Sequence, residues 1–562
     1  DANTTADGNN AFGHNALGAN TTGASNVAMG QQALTTNTTG SNNTAIGHVA
    51  LGDNTTASNN TAVGYLALNA NTTGFDNVTV GRQSLDANTT GNYNTAVGSL
   101  SLSGNTTASN NTAFGYASLN VNSTGAANTG LGYASLNANT TGSYNVAIGD
   151  SAMNLNTTGA RNVAVGVYAL DANTTASYNS AFGMYALTSN TTGANNTAMG
   201  YHALAYNTTG ADNTALGYGA GDAVSTGAEN VAVGSNALGA NTTGDYNVAL
   251  GENALGNNTT ADKNTAVGRR ALLSNTTGTL NVAVGALAGD AITTGGSNVA
   301  IGSEAMTTLT TGQQNIAIGE SSLALATTAN YSTAVGHLAL YACTTGASNT
   351  AIGHLALQDT TTGHNNSSLG TYAGADITTG IRNTCLGAYS GEYGGNVLTT
   401  GSGNTLIGYG AIPSATGATS QLVITAQDGS AATTGKGDDT GYISPNGGGV
   451  YQGNNSTTWS QTSDERIKKN IVDNNVGLEK IKDIQVRNFE YKLPEEISDG
   501  LTESDAIDKQ GIQLGVIAQE LETILPDMVT TESTGCKTVD ADNMTWYLVN
   551  AVKELSAKVE EL

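Results

Sequence analysis

Charge is scarce in this sequence. Only 11% of its 562 residues are Asp, Glu, Lys or Arg, and the basic ones are outnumbered, 18 to 43. No cluster of Lys and Arg interleaves with aromatics. Nucleic-acid binding, which rests on phosphate neutralisation, is therefore excluded as an expectation, and so is an anionic membrane surface. Residues 1–462 carry a net charge of -15 and residues 463–562 a net charge of -10, an acidity that reads as solubility. Cysteine is nearly absent. Cys343, Cys385 and Cys536 are too few and too scattered for a disulfide framework or a metal cluster. No apolar run reaches the length of a membrane-spanning helix, so no membrane insertion is expected. No secretory leader pattern opens the chain. The missing initiator Met leads to the expectation that numbering starts inside a longer protein, whose N-terminal region joins other components.

What is present is Gly, Asn, Thr and Ala in a strict rhythm. Low charge with 73 glycines fits disorder, but disorder has no fixed period. Here Phe12, Met29, Ile46, Val63, Val80, Val97 and their equivalents, Val165 among them, continue to Leu386. They make 23 apolar residues at an unbroken spacing of 17. Ile407 follows after 21, so one repeat carries a four-residue insertion near 391–395.

One unit shows the logic. Asn26-Val27-Ala28-Met29-Gly30 alternates as a short strand. Ala33-Leu34 is a second apolar corner, and Asn37-Thr38-Thr39-Gly40 reads as a turn in which Gly tolerates positive φ. The segments are too short for helices or hairpin domains. The solution is a parallel β-solenoid in which each unit forms one coil and stacking builds the core. At the usual strand spacing, 23 coils make a rod of roughly 110 Å. Phe12, Met29, Ile46, Val63, Val80, Val97 and Val165 are expected as solenoid core, as are Leu17, Leu34 and Leu51. Small Ala at 28, 45 and 62 leaves little room for a thick core, which a homotrimer with its apolar positions on a shared axis would resolve.

The Asn and Thr repeats read as solvent-facing ladders and turns, with a carbohydrate-binding face as the alternative. The repeated Asn-Thr-Thr reads as turn chemistry rather than glycosylation. His14, His48, His337 and His354 share one column, but most coils place other residues there, so they are read as surface groups. No metal or cofactor is expected. Asp438-Asp439 is the adjacent acidic pair in the first 462 residues, too little for the paired carboxylates of a glycan-cleaving groove.

The Asn-x-Ala-x-Gly phrase followed by Ala-Leu resembles the head repeats of trimeric autotransporter adhesins. That resemblance implies a trimeric left-handed parallel β-roll. The repeats stop near Pro413. Residues 411–462 then read as a cap or tip with short strands at Leu422-Val423-Ile424, Tyr442-Ile443 and Val450-Tyr451, where loops are candidates for receptor contact.

Composition switches at Ser463. Residues 486–493 alternate as a strand, residues 513–529 read as a strand and then a short helix broken by Pro526, and Met544 onward is helical. There Leu548, Val552, Leu555, Val559 and Leu562 fall at coiled-coil spacing. Ser463-Asp464-Glu465-Arg466-Ile467-Lys468, Gly515-Val516-Ile517-Ala518-Gln519-Glu520 and Ala551-Val552-Lys553-Glu554-Leu555 resemble, in order, the intramolecular chaperone auto-processing domain (peptidase S74). That domain ends many phage tail fibres and tailspikes.

The resemblance implies a small α+β domain that trimerises, ends in a trimeric coiled coil, guides folding of the fibre and cuts itself off between Thr462 and Ser463. It places a Ser-Lys dyad on Ser463 and Lys468, with Asp464 and Arg466 shaping the site. The implied organisation is a shaft over 1–410, a junction over 411–462 and the chaperone over 463–562. The implied protein is a virion fibre, assembled in the host cytoplasm, contacting tail or baseplate proteins and a host receptor that includes glycan among its candidates. The alternatives are a glycan-degrading tailspike and a cell-surface trimeric adhesin.

Overall fold

The alternation in residues 26–30 produces a three-residue strand, Val27–Met29, with Ala28 fully buried and its two neighbours turned outward. In this computed structural model the same strand recurs once per coil, from Asn10–Phe12 to Thr405–Ile407. The structure describes residues 5–426, 431–445, 449–453, 459–461, 465–498, 507, 509–532 and 535–562. The chain divides into two units, Asp1–Thr462 and Ser463–Leu562.

In the first unit each strand pairs in parallel with its equivalent one coil on: Val27 with Thr44, Ala28 with Ala45, Met29 with Ile46. Backbone bonds run between coils, in both directions. The Val27 N–H donates to the Asn43 carbonyl at 2.8 Å, and the Gly30 N–H donates to Phe12 of the preceding coil at 2.8 Å. The result is a 28-stranded sheet, the mostly-β solenoid expected from the 17-residue period.

Tight corners bend each coil. Gln32, Leu34 and Asn42 all take the left-handed conformation, with φ of 60°, 51° and 59°. For Leu this costs roughly 1–2 kcal/mol, and fully burying its side chain offsets that with about 1.5–3 kcal/mol. Gly30 has φ of 137°, and a Cβ there would lie 2.4 Å from the Gly47 carbonyl oxygen. Both constraints demand glycine, and the position is glycine in every coil from Gly13 to Gly408. Gly40, expected to use positive φ, does not, and its place tolerates a side chain, since Ala57 fills it one coil on.

The interior of the coil corrects two expectations. First, Phe12, Met29, Ile46, Val63, Val80, Val97 and Val165 do not form the core of the single chain. They stand on the outer face of the sheet, from half-buried Val165 to Phe12 at 77% exposure. The period-two alternation puts the residue between them inside, so the buried columns are Ala28, Ala33 and Leu34 with their equivalents. Methyl groups fit because the coil is thin. Second, much of the Asn is interior. Asn26, Asn37 and their equivalents are fully buried.

The Asn37 Nδ2 donates to Asn20 Oδ1 at 2.8 Å and to the Gly40 carbonyl at 3.0 Å. The Asn26 Nδ2 donates to the Gly40 carbonyl at 2.9 Å, while its Oδ1 accepts the Asn43 N–H at 2.9 Å. Buried amides are tolerable only when paired, and identical stacking pairs them. The rule shows where it fails. Val224 interrupts the Asn37 column and Ile292 ends it, and the Oδ1 atoms of Asn207 and Asn275, each one coil before, are buried without a partner. Thr38, read as exposed, is half-buried, and its hydroxyl donates to the Thr55 carbonyl at 3.0 Å.

The insertion leaves the stack in register, with Thr384–Leu386 pairing onto Thr405–Ile407. Leu398 returns to the core and Gly394 and Gly395 stand in open space. Parallel stacking continues past residue 410. Leu422–Thr425 lies on Thr405–Ile407 and Gly441–Ser444 lies on Leu422–Thr425, before Val450–Gln452 and Trp459–Gln461 turn antiparallel.

The second unit is small and partly helical: α1 (Leu478–Asp483), α2 (Ala518–Ile524) and α3 (Asp542–Glu560), with two antiparallel strand pairs. Leu521, Leu525 and Met528 form its buried centre, packed by Ile484, Val516, Met544 and Tyr547. Pro526 ends α2 as expected and starts a 3-10 turn, Pro526–Met528. α1 approaches α3 at Gly477, where a Cβ would lie 2.4 Å from the Ala551 nitrogen.

Candidate functional site

The proposed self-processing segment opens the second unit. Thr462, Ser463 and Asp464 lie outside the described residues. Glu465–Ile467 forms a 3-10 turn, and the Lys468 N–H closes it on the Glu465 carbonyl at 3.0 Å. The turn carries the Arg466 and Lys468 side chains, both exposed in the single chain. A lysine serves as a base near neutral pH only where burial or neighbouring charge favours its neutral form.

Downstream, the strand Gln513–Gly515 leads directly into α2. Glu520 in the first turn of α2 grips Arg487 of the strand Arg487–Phe489 through two bonds, at 2.9 and 3.1 Å. The pairing holds the Arg487 guanidinium above its ordinary pKa. Glu522 pairs with Lys537 at 2.6 Å. The Tyr547 hydroxyl donates to Asp527 at 2.8 Å, and burial, then this bond, pushes its phenol up. Asn550 on α3 donates to the Asn474 carbonyl at 2.7 Å. Sequence reasoning missed all four. Their partners are 15 to 76 residues apart, and nothing in local pattern announces such pairs.

α3 presents the stripe read from the sequence. Leu548, Val552, Leu555 and Val559 are all exposed, and so is Trp546. Leu562 follows the end of the helix. Only Ala551 of α3 is buried.

In the first unit the counterpart is the outer column from Phe12 to Ile407, apolar in every coil. The columns beside it are mixed. His337 and His354 stack at 5.3 Å, and among the described residues no three His, Cys, Asp or Glu side chains gather as a metal site. All three cysteines are free. Burial pushes the Cys343 thiol up to about 11 and the Cys385 thiol up to about 12, so both are inert core groups. Asp438 accepts the Thr419 N–H at 2.7 Å, a structural use of one member of the acidic pair. No helix among the described residues is long and apolar enough to cross a membrane.

No curated protein matches this chain. Residues 463–530 match the Peptidase_S74 family, described as the chaperone of endosialidase. The chain therefore joins an N-terminal β-solenoid to a C-terminal peptidase S74-like chaperone domain.

Proposed function

We propose that the protein is a trimeric phage tail fibre whose C-terminal domain assembles it and then cuts itself off. The observation that carries this reading is the outer apolar column. A contiguous stripe of Val, Ile, Leu, Met and Phe along every coil far exceeds what a soluble monomer leaves in water. Three chains that turn this column toward a shared axis bury it. The stripe on α3 supports the same symmetry at the other end of the chain, as a short trimeric coiled coil.

Identical coils create a difficulty that such a chaperone solves. A slip of one repeat preserves nearly every contact, so register is weakly specified. Non-local parallel pairing is also slow. A clamp over 463–562 fixes three chains at one end before the shaft of 1–410 and its closing segment of 411–462 zip up.

For self-cleavage, Ser463 Oγ attacks the Thr462 carbonyl carbon and Lys468 takes the hydroxyl proton. The peptide C–N bond breaks, and the proton passes to the released Ser463 amine. Water then hydrolyses the Thr462–Ser463 ester, freeing the Thr462 carboxylate. Lys468 is exposed in one chain, so its desolvation falls to a neighbouring chain, which ties cleavage to assembly. Arg466 and Asp464 shape the site. The mature fibre belongs to the virion, is assembled in the host cytoplasm, attaches to other tail or baseplate proteins, and contacts a host receptor.

Expression of residues 1–462 alone tests the chaperone role. The expected product is aggregate or monomer. Soluble trimer in the same yield as from the full chain removes that role.

A further inference from the structure

Tyrosine is the main aromatic, 22 residues against 5 Phe and 2 Trp, and none of the 22 is buried. Rigid, amphipathic rings kept at the surface offer contact area at low entropic cost. Four of them gather where the repeat is broken, Tyr372, Tyr389, Tyr393 and Tyr409. Tyr372 and Tyr389 stack at 5.2 Å. The insertion carries Tyr393, which meets Tyr389 edge-on at 5.9 Å. Tyr409, one coil further, lies 5.7 Å from Tyr389 and 5.4 Å from Tyr393. On the other side His354 abuts Tyr372 at 5.6 Å.

Carboxylates flank this ridge. Burial, then the charge of Asp359, raises the Asp376 carboxyl; burial, then the charge of Asp376, raises that of Glu392. The Asp359 N–H donates to the carbonyl of Ala375, beside Asp376, at 2.8 Å, and the Glu392 N–H donates to the Tyr389 carbonyl at 3.1 Å, which sets these carboxylates along the ridge. Glu392 also sits near Tyr409, whose phenol is raised by lost hydration first, then by Tyr393 and Tyr389, with Glu392 contributing. The insertion therefore supplies both a ring and a carboxylate, and beyond them Gly394 and Gly395 leave the approach open.

We infer that the ridge of Tyr389, Tyr393 and Tyr409 with Glu392 and Asp376 binds a neutral glycan chain. This deepens the host-attachment reading and rests on it. Pyranose C–H faces stack on aromatic rings, and carboxylates accept hydroxyl protons. The carboxylates of Asp359, Asp376 and Glu392 beside the ridge repel sialylated, uronate or phosphate-bearing chains at short range, which favours an uncharged ligand.

The test is an array of neutral hexose and N-acetylhexosamine oligosaccharides beside sialylated, uronate and phosphorylated ones, probed with the full chain. Neutral chains should be retained, and Tyr393→Ala, Tyr409→Ala and Glu392→Gln should each weaken retention about tenfold. Tyr116→Ala, on a distant ridge, should not. Equal thermal midpoints establish that the variants are folded. No retention of neutral chains, a preference for anionic ones, or retention unchanged in all three variants overturns the site.

Labelled fibre on a panel of bacterial cells separates this from the attachment reading. Cell binding that survives Tyr393→Ala overturns the glycan site and leaves attachment standing. Absence of cell binding by the wild type removes attachment, and the array still decides the site.

Discussion

Intact mass spectrometry of freshly expressed wild-type protein is expected to show two products, one ending at Thr462 and the other running from Ser463 to Leu562. Ser463→Ala should stay whole while folding normally, because only the nucleophile is lost. Lys468→Ala should also stay whole, since a serine without a base is a poor nucleophile near neutral pH. Deleting a catalytic nucleophile or its base costs on the order of 10⁴-fold or more in rate, so the variants should show no second product over the period in which wild type is consumed. Cleavage should be insensitive to dilution once assemblies exist, because nucleophile, base and scissile bond sit in one particle and are oriented only after folding. A single mass from folded wild type after prolonged incubation removes the protease role. The chaperone role survives that result, with residues 463–562 retained as a permanent cap.

The second large effect separates the inside of a coil from its outside. Ala164 is fully buried and Val165, its neighbour, is half-buried on the outer face. Ala164→Asp forces an unpaired carboxylate among Ala and Leu side chains, at a cost on the order of several kcal/mol. Folding of the surrounding coils should fail, with loss of β-sheet circular dichroism or insoluble product. Val165→Asp leaves the coil interior untouched. Its carboxylates meet only where chains meet, so the coils should remain folded while the assembly dissociates or melts at lower temperature. If the two variants behave alike, or Val165→Asp leaves assembly and melting unchanged, the outer column is not an interface.

The solenoid was legible because its signal is repeated. One Asn-Val-Ala-Met-Gly phrase is weak evidence for a strand, but 23 copies at one spacing leave a stacked coil as the economical way to bury them. The same regularity located the insertion, since Ile407 breaks the count.

Which face points inward was harder to read. Phe12, Met29 and Ile46 are larger and more apolar than Ala11, Ala28 and Ala45, so hydrophobicity alone nominates the wrong column. Corner geometry decides it, because a coil turned by left-handed Gln32, Leu34 and Asn42 leaves room opposite Leu34 for a small side chain, Ala in most coils and Thr79 in one, while the larger Leu406 fits where Gly391 stands in the leucine position. The buried Asn ladders were hidden for a related reason. Asn is ordinarily a surface residue, and only stacking supplies each amide with a partner from the next coil. In the second unit, α2, α3 and the Pro526 break followed from local pattern, whereas the short α1 was not read from the sequence. The Arg487–Glu520 and Asn550–Asn474 contacts depend on tertiary approach and left no local trace.

Sedimentation equilibrium of the folded, uncleaved Ser463→Ala protein bears most directly on the shared-axis fibre. The proposed burial of the outer column by three chains predicts one species of three chain masses, unchanged across protein concentration. A monomer of one chain mass, with the column from Phe12 to Ile407 left in water, would contradict it.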